Sequence, residues 1–318
     1  MSSRHVTRCG PRKQQGLTLL ELMVSIVLGL LVVAATLSVY MGHRNSYALV
    51  EGAGRVQENV RFATEIFSRE LREAGGIGCG GNLSPVYHSQ VGQWGQWDRG
   101  LVGNVLGVGG LTTPTPLAGT DSVLVWSATA ENPVPIVSHS AAAGTLVLGP
   151  TAPGQTLTYK NSDVVVACDG ARVFSFHPSQ ANAPNYVAAT SNVTDDLQPM
   201  GFFAPLGAHL WYVGARANNA VGNSLRRAVI DDQGGVVSDD EVIDNVSALT
   251  LSYLSTDRPT QYISAADVNT FTDGWKHVLA VRVSLTVVSQ DNVSTTANGA
   301  QQLTETVAFT VTVRRRAL

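Results

Sequence analysis

The chain has 318 residues, of which 44% are hydrophobic and 14% charged, a composition that predicts one large folded domain or two small ones. Its formal net charge is −3, and no patch of Lys and Arg interleaved with aromatic residues occurs, so nucleic-acid binding has little support. The cysteines are Cys9, Cys79 and Cys168, an odd number for an exported protein, and removal of a segment containing Cys9 would leave a pair.

The N-terminus combines a basic segment with a long apolar one. Residues 1–16 contain four basic side chains and no acidic one, and residues 17–40 carry a single charge, Glu21. At ~1.5 Å per residue, a helix over 17–40 crosses a hydrocarbon core of ~30 Å. The basic flank predicts a cytoplasmic N-terminus, a single pass through a membrane and an exported C-terminal domain.

Three interpretations fit this segment: a secretory signal peptide cut near the small residues of 32–35, an uncleaved signal anchor, or a class III leader cut after Gly16. Glu21 separates them, because a carboxylate within an apolar helix costs a few kcal/mol and usually marks a partner. After a cut at Gly16, Leu17 carries a free amine, and Glu21 lies four residues later on the same helix face. The two groups can pair within a chain or between neighbouring chains.

The stretch KQQGLTLLELMVS (13–25) resembles the type IV pilin leader, in which Gly precedes the cut, Thr is the second mature residue and Glu the fifth. The resemblance implies that a prepilin peptidase cleaves after Gly16 and methylates Leu17. It also implies that Glu21 sets the register of assembly by neutralising the N-terminus of a neighbouring subunit.

The helix is predicted to continue over residues 41–76 as an amphipathic segment. No proline occurs between Leu17 and Asn82, and apolar residues recur every three or four positions from Leu49 to Ala74. Charges at i,i+4 spacing occupy the other face, and Gly75 and Gly76 provide a helix end. The apolar stripe predicts that this half of the helix packs on the globular domain.

Further stretches narrow the resemblance to the PilW-type minor pilins: RFATEIFSRELREAGGIGCGG (61–81), SDVVVACDGARVFSF (162–176), VIDNVSALTLSYL (242–254) and WKHVLAVRVSLTVVS (275–289). Export favours oxidation, so the two remaining cysteines predict a Cys79–Cys168 disulfide that closes a loop of about 90 residues. Two unrelated thiols are the alternative.

Residues 77–318 are predicted to form a globular β-rich domain of short antiparallel strands. Alternation places two apolar rows on one face each: Leu279, Val281, Val283, Leu285 and Val287, and Val307, Phe309, Val311 and Val313. The predicted fold class is α+β and type IV pilin-like: a long N-terminal helix packed on an antiparallel β-sheet. A Gly/Thr/Pro-rich insert spans 83–119, where Trp94 and Trp97 either anchor an interface or, as we favour, pack back over the sheet.

Sequence motifs for catalysis or metal binding are weak. The acidic stretch Ile230–Asp244 offers one weak calcium site, Asp231, Asp232, Asp239 and Asp240, but its spacing does not fit an EF-hand, and an acidic hairpin turn in solvent is the favoured interpretation. GIGCGG (76–81) follows a helix rather than a strand, so it is not a dinucleotide motif. No HExxH, GxSxG or P-loop occurs, and we expect no enzyme activity and no cofactor, although a triad assembled in space stays open.

The resemblance implies a minor pilin that primes type IV pilus assembly and sits at the pilus tip. Its implied partners are other minor pilins, the major pilin, a PilY-type tip adhesin, the prepilin peptidase and the inner-membrane assembly platform. Two alternatives remain: a J-like minor pseudopilin of a type II secretion system, which shares the leader and helix, and an exported binding protein or enzyme on a signal anchor.

Overall fold

The computed structural model describes residues 18–76, 85–87, 97–106, 111–128, 134–143, 145–149, 163–169, 172–177, 185–186, 196–197, 199, 201–217, 220–231, 233–296 and 299–313. At 85–87, 185–186, 291–296 and 299–301 only the backbone is described. The chain divides into two compact units, Met1–Glu51 and Gly52–Leu318.

The helices are α1 (Leu19–Glu73) and α2 (Ala265–Val268), with a 3-10 helix at Gly274–His277. The strands are β1 (Pro85–Tyr87), β2 (Leu101–Gly103), β3 (Val123–Ala128), β4 (Val134–Ser140), β5 (Thr145–Leu148), β6 (Val165–Cys168), β7 (Val173–Phe176), β8 (Asn185–Tyr186), β9 (Phe202–Ala215), β10 (Asn223–Ile230), β11 (Val236–Asp244), β12 (Val246–Ser255), β13 (Arg258–Ile263), β14 (Val278–Thr296) and β15 (Gly299–Thr312).

In the first unit, α1 is exposed on all sides. Every residue from 18 to 46 is exposed, including a continuous series of large apolar side chains from Leu19 to Met41. The segment lacks proline, so its backbone hydrogen bonds run unbroken, whereas its apolar surface has no protein to pack on within the unit.

In the second unit, α1 packs on the β domain through the predicted stripe. Val56, Ala63, Phe67 and Leu71 are buried, at successive spacings of seven, four and four residues. The Phe67 ring meets the Trp211 ring edge-on, with centroids 5.0 Å apart. The prediction that the amphipathic half of the helix docks on the sheet is confirmed.

The end of α1 is tied to β3 by backbone hydrogen bonds. Gly75 has φ of 68°, a left-handed conformation that glycine adopts without strain at a helix C-terminus. Its amide donates to the Trp126 carbonyl at 2.7 Å, and the Ala128 amide donates to the Gly76 carbonyl at 2.8 Å. The helix therefore ends in a fixed position against the sheet.

Among the described residues, the larger sheet has eleven strands and is organised around β9. The first part of β9 pairs with β4 and β6, and its second part pairs with β3 and β10. The pairings are antiparallel except for that of β1 with β7. Four further strands form a second antiparallel sheet in the order β13-β12-β14-β15.

Asp121 joins the two sheets. Its amide donates to the Leu249 carbonyl at 2.9 Å, and its Oδ2 accepts from the Leu251 amide at 2.7 Å. Residues of α1 and of both sheets contribute to one hydrophobic core. The fold therefore belongs to the predicted α+β class, and α1 shares a hydrophobic core with both sheets.

The alternating apolar rows predicted for β14 and β15 are present, with one correction at Leu279. Leu279 is only half-buried, whereas Val278 and Ala280 are buried, because a register irregularity between Leu254 and Ser255 of β12 shifts the alternation of β14 at this point. From Val281 to Val287 the alternation is as predicted, and in β15 the predicted face is half-buried at Val307 and Phe309 and buried beyond them.

The predicted insert 83–119 contributes to the core. It contains β1 and β2, and Trp97 is fully buried, its Nε1 donating to Ser175 Oγ at 3.2 Å. Trp97 therefore packs back onto the domain, as favoured, while Trp94 lies outside the described residues.

Candidate functional site

The start of α1 is built by Thr18 and Glu21. Thr18 Oγ1 accepts a hydrogen bond from the Glu21 amide at 3.3 Å, which is one half of a capping box with Thr at the N-cap and Glu three residues later. Ser25 Oγ in turn donates to the Glu21 carbonyl at 2.7 Å. Gly16 and Leu17 lie outside the described residues.

Glu21 is exposed, and among the described residues its carboxylate has no hydrogen-bond or ionic partner. It is an acidic group beside a long apolar surface, and it is therefore available to a cation outside the chain's described part. Its assigned role in assembly register stays a prediction.

The apolar first part of α1 provides the surface that a membrane or a helix bundle requires. By length and composition, α1 is the one helix among the described residues that can cross a membrane, and its most apolar stretch is not buried within the structure. Lipid, or the helices of other chains, could bury these side chains.

A buried carboxylate, Glu70, attaches the second part of α1 to the large sheet. His209 Nδ1 donates to Glu70 Oε2 at 3.1 Å, and Arg227 Nη1 lies 3.7 Å from Oε1. Burial raises the pKa of Glu70, but the hydrogen bond from His209 and the charges of His209, Arg227 and Arg69 outweigh it, so the pKa lies below its ordinary value. Glu70 is therefore held ionised against the sheet.

The predicted calcium site is not formed by the described acidic residues. Asp231 Oδ1 accepts from the amides of Gln233 and Gly235 and closes the β10–β11 turn, as the hairpin interpretation predicts. Asp240 is exposed and accepts from Ser238 Oγ at 3.4 Å, and Asp232 lies outside the described residues. Within the described part of the chain no cluster of three or more His, Cys, Asp or Glu could hold a metal ion.

Asp239 departs from the interpretation of a solvent-exposed acidic turn, because it lies in β11 and binds an arginine. Arg226 Nε donates to Asp239 Oδ1 at 3.1 Å, and the Tyr212 hydroxyl donates to Oδ2 at 2.8 Å. Burial, followed by the hydrogen bond to Asp239, raises the pKa of Tyr212 above its ordinary value. The cationic partner explains why Asp239 occupies a strand rather than a calcium loop.

A second arginine, Arg216, binds two further acidic residues of β11. Arg216 Nε donates to Glu241 Oε1 at 3.1 Å, and its Nη2 lies 3.3 Å from Asp244 Oδ2. Asn59 of α1 donates to Asp244 Oδ1 at 3.1 Å. These contacts therefore join α1, β11 and the residue that follows β9.

The fold brings Ser255, Asp257 and His277 together, although not as a nucleophile and its base. Ser255 Oγ donates to Asp257 Oδ2 at 3.0 Å, and His277 Nδ1 bonds to the same oxygen at 2.8 Å. In a catalytic triad the serine instead donates to the histidine. The Ser255 side chain is also fully buried, so this group shapes the turn after β12.

Cys168, in β6, is fully buried and disulfide-bonded. Cys79 lies outside the described residues, so its pairing with Cys168 stays a prediction.

Two of these contacts have a signal in the sequence. Thr18 and Glu21 have the spacing of a capping box, which gives Glu21 a local role besides its predicted one. Glu70 falls within the apolar stripe beside Phe67 and Leu71, a position where a charge predicts a buried partner. His209 and Arg227 lie too far away in the sequence to be assigned as those partners.

Two family models match the chain. Residues 11–37 match the prokaryotic N-terminal methylation motif, and residues 210–317 match the type IV pilus-assembly protein W, or PilW. Together they support a PilW-type minor pilin. Comparison with curated proteins gives no match, and comparison with solved structures gives none.

The PilW match begins within β9 and covers β10 to β15, while the methylation match begins at residue 11 and includes the first turns of α1. The two matches support a type IV pilus-associated, pilin-like protein, and they imply interaction with other pilus components and association with the membrane. Both matched families are structural.

Proposed function

We propose that this protein is a minor pilin that primes assembly of the type IV pilus and remains at the pilus tip. The observation that carries the proposal is the occurrence of the methylation motif and the PilW region on one chain whose N-terminal helix is exposed and apolar. A tip subunit enters the assembly first and needs the same helix as the subunits that follow.

The proposed entry into the assembly begins at the leader. The prepilin peptidase cuts after Gly16 on the cytoplasmic side and methylates the amine of Leu17. Glu21 then pairs with the N-terminal amine of a neighbouring subunit, and this pairing offsets the cost of holding each charge alone in the low-dielectric interior of a helix bundle. Its exposed carboxylate, without an ionic partner among the described residues, supports this assignment.

Before assembly the protein spans the inner membrane once, with the β domain in the periplasm, and afterwards it lies at the tip on the cell surface. Transfer of α1 from lipid to a bundle keeps its apolar side chains buried throughout. The β domain contacts other minor pilins, the major pilin and a PilY-type tip adhesin, while the assembly platform engages the membrane-embedded subunit.

Two measurements on one strain test this proposal. Mass spectrometry of the N-terminal peptide from sheared pili is expected to find a chain that begins at methylated Leu17. Immunogold labelling is expected to place the β domain at one end of each fibre. A chain that begins near Thr36, or gold distributed along the whole fibre, would contradict the proposal.

A further inference from the structure

The strand β15 forms one edge of the four-stranded sheet. It pairs with β14 without interruption over nine positions, from Ala280 opposite Thr312 to Val288 opposite Thr304. No other strand among the described residues pairs with it. We call residues Thr304–Thr312 the open edge.

Hydrogen bonds at both ends of the strand show which backbone groups face outward. The Val313 amide donates to the Leu279 carbonyl at 2.9 Å, and the Leu303 amide donates to Ser289 Oγ at 2.9 Å. Odd-numbered residues therefore direct their amides toward β14. Because backbone groups alternate along an antiparallel strand, the even-numbered residues of the open edge direct their N–H and C=O groups away from it.

The open edge carries one common protection against strand addition, the inward-facing charge of Glu305, but lacks the others. It contains no proline and no lysine, and its pairing with β14 has no bulge between Thr304 and Thr312. All five even-numbered residues are exposed. Their outward backbone groups are those that an added strand pairs with.

The face of β15 toward the core leaves apolar surface for such a strand to cover. Val307 and Phe309 pack against the main core but remain half-buried, whereas Val311 and Val313 are buried. An added strand with apolar residues on this face would complete their burial.

Glu305 favours a positive charge on an added strand. It lies on the same face, directly opposite the fully buried Val287, and is half-buried. The described residues supply no hydrogen bond or ion pair to its carboxylate. A half-buried carboxylate at an open edge is complementary to a cation on the strand that covers it.

We propose that the open edge receives an extended strand from another pilus component, with alternating apolar residues and one Lys or Arg beside Glu305. That the added strand comes from a pilus component rests on the proposed function. That the open edge can add a strand rests on the structure of the edge alone. A second copy fits less well, because a two-fold pairing centred on Ala308 uses the whole edge but places Glu305 opposite Val311.

Ala308→Pro tests the edge directly. The Ala308 amide faces outward, so proline removes one docking donor without removing a bond to β14, a position where edge strands tolerate proline. Ala308→Thr is the matched control, since it retains the amide and copies the neighbouring residues. Thermal unfolding of both purified full-length variants in detergent checks that each is folded.

The probe is a labelled nine-residue peptide of alternating Val and Thr, with one Lys near its C-terminus so that antiparallel addition places it beside Glu305. Binding is measured by fluorescence anisotropy. We expect wild type and Ala308→Thr to bind, and folded Ala308→Pro to bind at least about tenfold more weakly. We also expect slowed amide exchange at Thr306, Ala308 and Thr310 of the wild type. Equal binding by the proline variant, or no binding by any variant, would overturn the proposal.

A charge exchange tests the assigned cation. Glu305→Lys should weaken binding of the Lys peptide and strengthen binding of a peptide that carries Glu at the same position. No change with either peptide would refute the role of Glu305.

Pilus counts and sedimentation distinguish a pilus component from a second copy of this chain as the occupant of the open edge. If a pilus component occupies the edge, Ala308→Pro should reduce surface pili while Ala308→Thr restores them to a strain lacking the gene. Normal pili with folded Ala308→Pro, or a wild-type dimer in sedimentation that the variant abolishes, would contradict this occupant. If deletion of the gene itself leaves pili normal, the proposed function fails, and the peptide result still decides whether the edge accepts a strand.

Discussion

Three carboxylates of this chain differ in their exposure and in the partners that they bind. Glu21 is exposed and without an ionic partner among the described residues, Glu70 is buried against His209 and Arg227, and Asp239 is bound by Arg226. Sequence alone singles out Glu21, since its apolar surroundings are local. The partners of Glu70 and Asp239 come from distant strands, so no local pattern reveals them.

Glu21→Ala should leave cleavage after Gly16 intact and impair incorporation into pili. The reason is that the leader is recognised before the carboxylate pairs with a neighbouring amine. Western blots for the mature form and for sheared pili measure the two steps separately. Glu58→Ala, at another exposed glutamate of α1, is the control and should incorporate normally. Normal incorporation of Glu21→Ala would disprove the register role.

Glu70→Gln should lower the free energy of unfolding by about 1–3 kcal/mol, because it removes the charge that His209 and Arg227 face. Denaturant unfolding of the full chain in detergent measures this change. Glu73→Gln changes an exposed residue in the same turn of α1 and should cost less than about 0.5 kcal/mol. Equal effects of the two substitutions would mean that the Glu70 cluster does not stabilise the fold.

The same residue should make stability depend on acid pH. The pKa of Glu70 is lowered in the folded state, so its contribution is present above its ordinary pKa of 4.5 and is lost as pH falls through the folded-state value. Melting temperatures between pH 7 and pH 3 should therefore fall less steeply for Glu70→Gln than for wild type. Parallel curves would contradict this linkage.

At the scale of elements, the sequence predicts best what is local and periodic. The stripe of α1 and most of the alternation of β14 follow from spacing alone. The predicted position of Leu279 in the buried row of β14 is wrong, because the register irregularity between β14 and β12 is a property of two strands together. The contribution of 83–119 to the core was only partly predicted, because short strands such as β2 depend on the partner that they pair with.

The predicted disulfide joins the segment after α1 to β6. Cys79→Ala and Cys168→Ala should each lower the free energy of unfolding of the mature chain, by up to about 4–5 kcal/mol on the chain-entropy argument for a 90-residue loop. If the two cysteines pair, the double variant should lose little more than either single one, and a reductant should not affect it. Additive losses, or a double variant that melts like wild type, would contradict the pairing.

At the scale of the whole molecule, the sequence predicts the α+β class and the pilin-like helix, but not the arrangement of two sheets. The strand β9 pairs with four others, and two of them, β3 and β4, precede it by more than sixty residues. Such non-local pairing is decided by the burial of both sheet faces together, which no single segment of sequence encodes. The open edge of β15 is likewise visible only once the strand order is known.

The central claim is that this protein primes the type IV pilus. The most direct measurement is a count of surface pili on a strain lacking the gene, with secreted exoproteins assayed from the same culture and a complemented strain as control. We predict few or no pili, normal secretion, and recovery on complementation. Normal pili with lost secretion would contradict the account and assign the protein to the pseudopilus of a type II secretion system.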